Sequence, residues 1–278
     1  MIDGATKLIA HIGYPTESFK SPMIYNPYFE KRGINAVVVP MGCKAEDYGA
    51  FLKLVFRLSN MHGALITMPH KITTLGLVDE ASVAAKIAGA CNAVRVDHGR
   101  LIGDMFDGEG FVRGILKKGR NLAGAKALVC GCGGVGSAIA ASLAKAGVAG
   151  LGVFDAFPQA MSELSGRLRT HHPALHVSQG SADPAGYDFV VNATPLGMKQ
   201  GDPLPMDVAR IAPSTFVGEV VMKEEITPFL AAVRAKGCDY QIGTDMLFEQ
   251  IPAYIEFFGF GATTSDELRE LAQIHYVS

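Results

Sequence analysis

The sequence predicts an α/β fold built around mainly parallel sheets and divided into two domains. Short apolar runs alternate with stretches of helical periodicity, the pattern of sheets joined through helices. One of these runs passes at once into a glycine-rich turn and then a helix. The 278 residues, 49% hydrophobic and only 19% charged, supply one large or two modest cores and argue against disorder.

Taken in order, the strand candidates are residues 8–12, 36–40, 63–68, 93–96, 127–130, 151–155, 189–192 and 216–220. Helical periodicity runs over 48–58, 110–117, 137–146, 158–169 and 228–236. The stretch 103–110 is rich in Gly and Asp, and a complete βαβ unit begins soon after it. The domains are therefore expected at 1–104 and 105–240. The last segment, 241–278, is helical and too short to fold alone, so it should pack back onto the first domain.

The net charge of −2 offers no cationic footprint for nucleic acid or an anionic membrane. The longest apolar stretches, 36–41 and 138–146, fall well short of the roughly 18 residues that span a bilayer. The first ten residues lack the basic region followed by a long apolar region of a secretion signal, so a cytoplasmic location is expected. The cysteines, Cys43, Cys91, Cys130, Cys132 and Cys238, are odd in number and expected as free thiols. Cys130 and Cys132 have no second Cys or His pair at ligand spacing, and no metal site is expected.

The strongest motif is Gly131-Cys132-Gly133-Gly134-Val135-Gly136, set between the run 127–130 and the helix that starts near Ser137. Strand, glycine turn and helix in this order make a Rossmann unit, in which bare backbone N–H groups and a helix N-terminus meet a pyrophosphate. The next strand ends in Asp155, nineteen positions after Gly136, where a carboxylate binds the adenosine ribose. Two plainer readings stand beside these: a glycine turn without a ligand, and Asp155 as a helix cap or loop acid. A carboxylate repels a 2′-phosphate, and Ala156-Phe157-Pro158-Gln159 holds no cation to bind one. NAD is thus expected over NADP, with NADP possible.

In the first domain polar residues stand at strand ends. Lys71 follows Met68-Pro69-His70, Asn92 follows Gly89-Ala90-Cys91, and Asp107 lies in the proposed hinge. A Lys near an Asp can exchange a proton with a substrate hydroxyl while a cofactor takes hydride. The residues alone equally allow Lys71 as a solvated lysine and Asp107 as a turn acid. His70 reads as a structural or capping residue.

The ordered set of motifs resembles the shikimate dehydrogenase family over nearly the whole chain. The set comprises Lys20-Ser21-Pro22, Thr67-Met68-Pro69-His70-Lys71, Gly89-Ala90-Cys91-Asn92, Asp107-Gly108-Glu109-Gly110, the glycine turn, Asn192-Ala193-Thr194-Pro195-Leu196-Gly197-Met198, and Gly243-Thr244-Asp245-Met246-Leu247-Phe248-Glu249-Gln250. The resemblance implies a substrate-binding domain followed by the dinucleotide domain, and a catalytic pair carried by Lys71 and Asp107. It implies substrate contacts at Ser21, Thr67, Asn92 and Gln250, a nicotinamide-ribose loop at Asn192, Thr194 and Pro195, and nicotinamide neighbours at Gly243 and Met246.

Four elements depart from the family's substrate pocket. Phe19 replaces a serine, Leu65 an asparagine, Met105-Phe106 an Asn-Thr pair, and Met222 the tyrosine of an Asp-x-x-Tyr motif that here begins at Glu219. Polar lining gives way to apolar bulk, unless Thr16, Ser18 or Tyr25 supplies donors from shifted positions. The resemblance then implies oxidation of a secondary alcohol on a cyclic hydroxy acid, possible for shikimate or quinate or for a less polar relative. An authentic shikimate or quinate dehydrogenase, and a non-catalytic nucleotide-binding regulator, are the alternatives. Expected partners are the small-molecule substrate and cofactor, in a monomer or homodimer.

Overall fold

The computed structural model describes residues 2–17 and 19–274, so Ser18 lies outside the described residues. In chain order the first elements are β1 (Lys7–Gly13), α1 (Pro22–Lys31), β2 (Ala36–Gly42), α2 (Ala45–Val55), β3 (Met61–Ile66), α3 (Lys71–Leu75), β4 (Glu80–Ala81), α4 (Val83–Ala88), β5 (Ala93–Asp97) and β6 (Arg100–Asp104). They are followed by α5 (Asp107–Lys117), β7 (Lys126–Cys130), α6 (Gly134–Lys145), β8 (Gly150–Phe154), α7 (Pro158–His171), β9 (His176–Gln179), β10 (Phe189–Asn192), β11 (Phe216–Glu219), α8 (Pro228–Ala235), β12 (Tyr240–Gln241), α9 (Gly243–Phe257) and α10 (Ser265–Leu271). The described residues form two compact units, divided between Phe106 and Asp107 and again, inside α9, between Gln250 and Ile251.

The first unit holds a six-stranded sheet in the order β2-β1-β3-β5-β6-β4. This sheet is mixed, because β5 runs antiparallel to both β3 and β6. Its faces follow from the two-residue period of a strand. Ala10, Ile12, Ala64 and Ile66 point to a core shared with Tyr48, Leu52 and Val55 of α2. The alternate residues His11, Gly13 and Leu65 point to the other face. His11 lies beside Leu65, and Leu65 beside Ala93, in the strand register.

The second unit holds a wholly parallel sheet in the order β12-β11-β10-β7-β8-β9. Counted from β7, this is the 3-2-1-4-5-6 order of a doubly wound dinucleotide fold, read from the far edge. Central strand β10 is buried at every residue, as a parallel strand covered on both faces requires.

Several sequence expectations need correction. The strand expected through residue 68 stops at Ile66, because the chain turns at Thr67, whose carbonyl accepts the His70 N–H at 3.0 Å. The stretch 103–110 contains the end of β6 and the first turn of α5, and the division between the two units falls within it. Its glycines serve packing, since a Cβ on Gly108 would lie 1.9 Å from the Ala138 carbonyl oxygen. Helix α1, with Pro22 at its start and Pro27 inside, carries no clean apolar stripe and was not anticipated, nor were the short strands β4, β6, β9 and β12. Among the described residues no helix is long and apolar enough to cross a membrane.

Candidate active site

In the first unit the polar residues gather where β1 and β3 end, the edge at which open α/β sheets bind ligands. A Cβ on Gly13 would lie 2.4 Å from Thr67 Cγ2 and 2.8 Å from Phe19 Cζ, so both side chains sit over that glycine. Phe19 also stacks on the His11 ring, with centroids 4.0 Å apart and planes 22° apart. Lys71 opens α3 half-buried, and its charge reaches His11. Burial first, and then Lys71, push the imidazole pKa of His11 down to about 4.

His70 has the structural role expected of it. Its ring stacks on Tyr48 at 3.9 Å, and its Nε2 lies 2.8 Å from the Cys43 carbonyl oxygen. Asn92 is buried at the bend between α4 and β5, where its Oδ1 accepts the Phe106 N–H at 2.9 Å. It therefore fixes the backbone one residue before Asp107. Phe106 packs edge-on against Tyr254 and Phe257, at 4.8 and 5.4 Å between centroids. Ser21 is the N-cap residue of α1, and its side chain makes no capping bond. Of the proposed alternative donors, Tyr25 is 2% exposed inside the core.

In the second unit Asp107 is the first residue of α5 and is buried. Gln250 is also buried, and its Oε1 has no hydrogen-bond partner. Met246 and Gln250 crowd Gly110, at which a Cβ would lie 2.6 Å from the Met246 carbonyl oxygen and the Gln250 Cβ. Gly243 starts α9 against the Val221 carbonyl, 2.4 Å from the place of a Cβ.

The glycine turn is built as the motif predicts. Gly131 has a φ of +103°, and a Cβ on Gly136 would lie 1.8 Å from the Gly131 carbonyl oxygen, so only glycine fits. Gly133 and Gly134 face open space within 4 Å, and Gly133 is the N-cap of α6 with no side-chain capping bond. Those exposed N–H groups at a helix start, with Val135 in its first turn, fit the pyrophosphate of a dinucleotide. Asp155 lies beside the turn: its Oδ2 accepts the Cys132 N–H at 2.7 Å and its Oδ1 the Phe157 N–H at 2.9 Å. The carboxylate thus organises the loop, and each oxygen keeps a lone pair for a ribose hydroxyl.

The loop after β10 rests on a network that sequence reasoning missed. Asn192 is fully buried; its Nδ2 donates to Glu219 Oε1 at 2.7 Å and to the Leu196 carbonyl at 3.1 Å. Its Oδ1 accepts the Thr194 N–H at 3.1 Å and the Thr194 hydroxyl at 2.6 Å. Glu219 also accepts the Thr227 hydroxyl, and burial raises its pKa against the opposing effect of both hydrogen bonds. Parallel pairing sets Asn192 beside Glu219, a contact that no local motif signals. Pro195 stays exposed on this loop. Among the described residues no group of three or more His, Cys, Asp or Glu side chains is placed to hold a metal.

Comparison with known proteins agrees with this arrangement. The family profile of the shikimate dehydrogenase substrate binding domain matches residues 11–94. The chain is 36% identical to the shikimate dehydrogenase (NADP(+)) of Rubrobacter xylanophilus, over 90% of this chain and 89% of that protein. It is 32% identical to the shikimate dehydrogenase (NADP(+)) of Acidiphilium cryptum, over 96% of each. Among solved structures, shikimate 5-dehydrogenase from Listeria monocytogenes in complex with shikimate and NAD superposes with a TM-score of 0.90, at 26% identity and 97% coverage of both chains. With its parallel dinucleotide fold, glycine turn and full-length similarity, this chain belongs to the shikimate dehydrogenase family, oxidoreductases that act on a CH–OH group with a nicotinamide cofactor.

Proposed function

We propose that this dehydrogenase oxidises, reversibly and with NAD, a secondary alcohol on a cyclic hydroxy acid less polar than shikimate on one edge. The observation that carries the reading is the apolar patch at the ends of β1 and β3. Phe19 is stacked on His11, Leu65 is 4% exposed, and Phe106 is held between Tyr254 and Phe257. These side chains are fixed by packing, so the polar groups that the family presents there are replaced rather than displaced. A site that lacks a hydrogen-bonding partner for a buried substrate hydroxyl loses orders of magnitude in discrimination.

In oxidation a bound nicotinamide cofactor would supply the acceptor for the hydride of the alcohol carbon. In the same direction Lys71 takes the hydroxyl proton and Asp107 orients the ammonium, and in reduction the proton returns by the same path. Ser21, Thr67, Asn92 and Gln250 hold the carboxylate and remaining hydroxyls. The glycine turn from Gly131 to Gly136 would hold the pyrophosphate, and Asp155 the adenosine ribose. Asn192, Thr194 and Pro195 would form the nicotinamide-ribose loop, and Gly243 and Met246 would border the ring.

One observation favours a second reading, an NADP-linked shikimate dehydrogenase. Arg167 on α7 is close enough to Cys132 for its charge to oppose the burial that pushes that thiol up to about 12. It is a cation near the turn, and the relatives named above are called NADP(+) enzymes. Steady-state rates on shikimate, quinate and related cyclic hydroxy acids with both cofactors separate the two. Weak shikimate turnover with NAD preferred is expected. Efficient shikimate turnover at micromolar KM, or tighter binding of NADPH than NADH, selects the second reading.

A further inference from the structure

We infer that His11 is a specificity residue: its imidazole exchanges a hydrogen bond with an uncharged ring hydroxyl of the substrate, beside an apolar shoulder made by Phe19 and Leu65. The inference rests on the dehydrogenase reading and names the substrate class within it. Two other buried or half-buried histidines of this unit show what a structural imidazole looks like here. His70 Nε2 lies 2.8 Å from the Cys43 carbonyl and His62 Nε2 lies 2.6 Å from the Phe258 carbonyl. His11 is 8% exposed, and its enclosed Nδ1 has no hydrogen-bond partner. An orphaned polar atom in a packed interior is costly, and a ligand that completes it removes that cost.

Position supports the same assignment. His11 shares a sheet face with Gly13 and, across the register, with Leu65. Thr67 and Phe19 close over that face at Gly13, and the charge of Lys71 is felt by the ring. Phe19 covers the flat face of the imidazole, which leaves its edge, where the nitrogens are, for polar contact. Burial and the Lys71 charge keep the ring neutral at physiological pH. A neutral imidazole offers one donor and one acceptor, and a hydroxyl can answer either, whereas a carboxylate can only accept. The shoulder of Leu65 and Phe19 beside it calls for ring carbon that bears no hydroxyl. The ligand class is a cyclic alcohol with a hydroxyl toward His11 and an apolar edge next to it.

The test uses the whole protein with its nicotinamide cofactor and the fastest substrate of the cyclic hydroxy-acid panel. His11→Phe keeps the stack on Phe19 and removes both nitrogens; His11→Gln keeps a donor and an acceptor. His11→Phe should raise KM by about tenfold with kcat within about twofold, the effect of one lost hydrogen bond. His11→Gln should recover part of the loss. Against single-deoxy analogues of the substrate, one analogue should show no difference between the unmodified protein and His11→Phe, which pairs that hydroxyl with the imidazole. An unchanged KM in His11→Phe, or an equal penalty for the parent substrate and every analogue, overturns the assignment. A protein that oxidises no panel member with either cofactor overturns the dehydrogenase reading instead. The imidazole 15N resonances of His11 in the NAD-loaded protein then still report: a shift on adding quinate or shikimate upholds the contact, and no shift with either refutes it.

Discussion

Asn192 makes four side-chain hydrogen bonds while fully buried, and its replacement should be costly. Asn192→Ala removes four hydrogen bonds from a side chain with no exposure, one of them to the Glu219 carboxylate. A bond to a charged group is worth about 1.5–3 kcal/mol and a neutral one about 1, and the Glu219 carboxyl is left with the Thr227 hydroxyl. Allowing for non-additivity, the loss should reach about 3–5 kcal/mol, a large share of a typical domain's stability. Asn192→Asp is the sharper variant, because it keeps the acceptor for Thr194 but sets a second carboxyl 2.7 Å from Glu219 Oε1. One of the two must then carry a proton, and they titrate as a pair. Burial already raises the pKa of Glu219, and the second carboxyl raises it further. The folded state therefore holds a proton that the unfolded chain has released, so stability falls as pH rises above the ordinary carboxyl range. Urea denaturation at pH 5 and pH 8, with fluorescence titration of the reduced cofactor, measures both consequences. Asn192→Asp should approach the unmodified protein at pH 5 and fall well below it at pH 8, and both variants should bind cofactor more weakly. Equal stability at the two pH values, or a loss below about 1 kcal/mol in Asn192→Ala, would refute the network's role.

Lys71→Ala and Asp107→Ala should each lower turnover by about 10²–10⁴-fold while cofactor binding is retained; near-normal turnover removes that residue from the mechanism. Gly136→Ala should destabilise by about 1–3 kcal/mol and weaken cofactor binding, since its methyl meets the Gly131 carbonyl; Gly133→Ala, which faces open space, should change stability by less than about 0.5 kcal/mol. His11, with its pKa lowered from 6.5 to about 4, stays neutral in the fold while the unfolded chain takes up a proton, so its contribution is complete above pH 6.5 and lost as pH falls toward 4. That loss is about 3 kcal/mol, and acid unfolding of His11→Phe should be shallower than that of the unmodified protein by this amount; parallel curves would contradict the pKa. Combining Phe19→Ser, Leu65→Asn and Phe106→Thr should raise kcat/KM for shikimate, read by cofactor absorbance, and no gain in a folded triple variant counts against the altered-pocket reading.

What was legible in the sequence follows from the range of each signal. The parallel strands of the second unit read as continuous apolar runs because both faces are covered, and the glycine turn read correctly because its constraints lie within six residues. The sequence places the start of helix α5 at residue 110 rather than Asp107, because Gly108 and Gly110 look like breakers. In the structure they are points of close approach, to Ala138 and to Met246 and Gln250. Asp155 was read for a ligand, and its two backbone partners, the N–H groups of Cys132 and Phe157, could not be seen from spacing. His11 was hidden because a single ionisable residue within Leu8-Ile9-Ala10-His11-Ile12 leaves the strand pattern intact. The oddity of a histidine in an apolar strand was the available signal. The pairing of Asn192 with Glu219 spans 27 residues and depends on strand register, which one sequence does not reveal.

The two units differ in how their candidate site groups are held, and this difference determines what can change without loss of the fold around them. Around the glycine turn and the loop after β10 the key groups are tightly constrained. Asn192 has four hydrogen bonds, Asp155 anchors two backbone amides, and Gly136 leaves no room for a methyl. A substitution there breaks several interactions at once. In the first unit the distinguishing side chains are held by packing rather than by side-chain hydrogen bonds: Phe19 by a ring stack, Phe106 by two aromatic edges, Leu65 by burial within its strand. Dispersion and burial tolerate exchange for another shape far better than a buried hydrogen-bond network does. A chain of this family can therefore exchange polar for apolar residues at a few positions while its glycine turn and the Asn192 network persist. A buried, unpaired nitrogen on His11 amid such an exchange then marks a polar contact that the new lining still requires from its ligand.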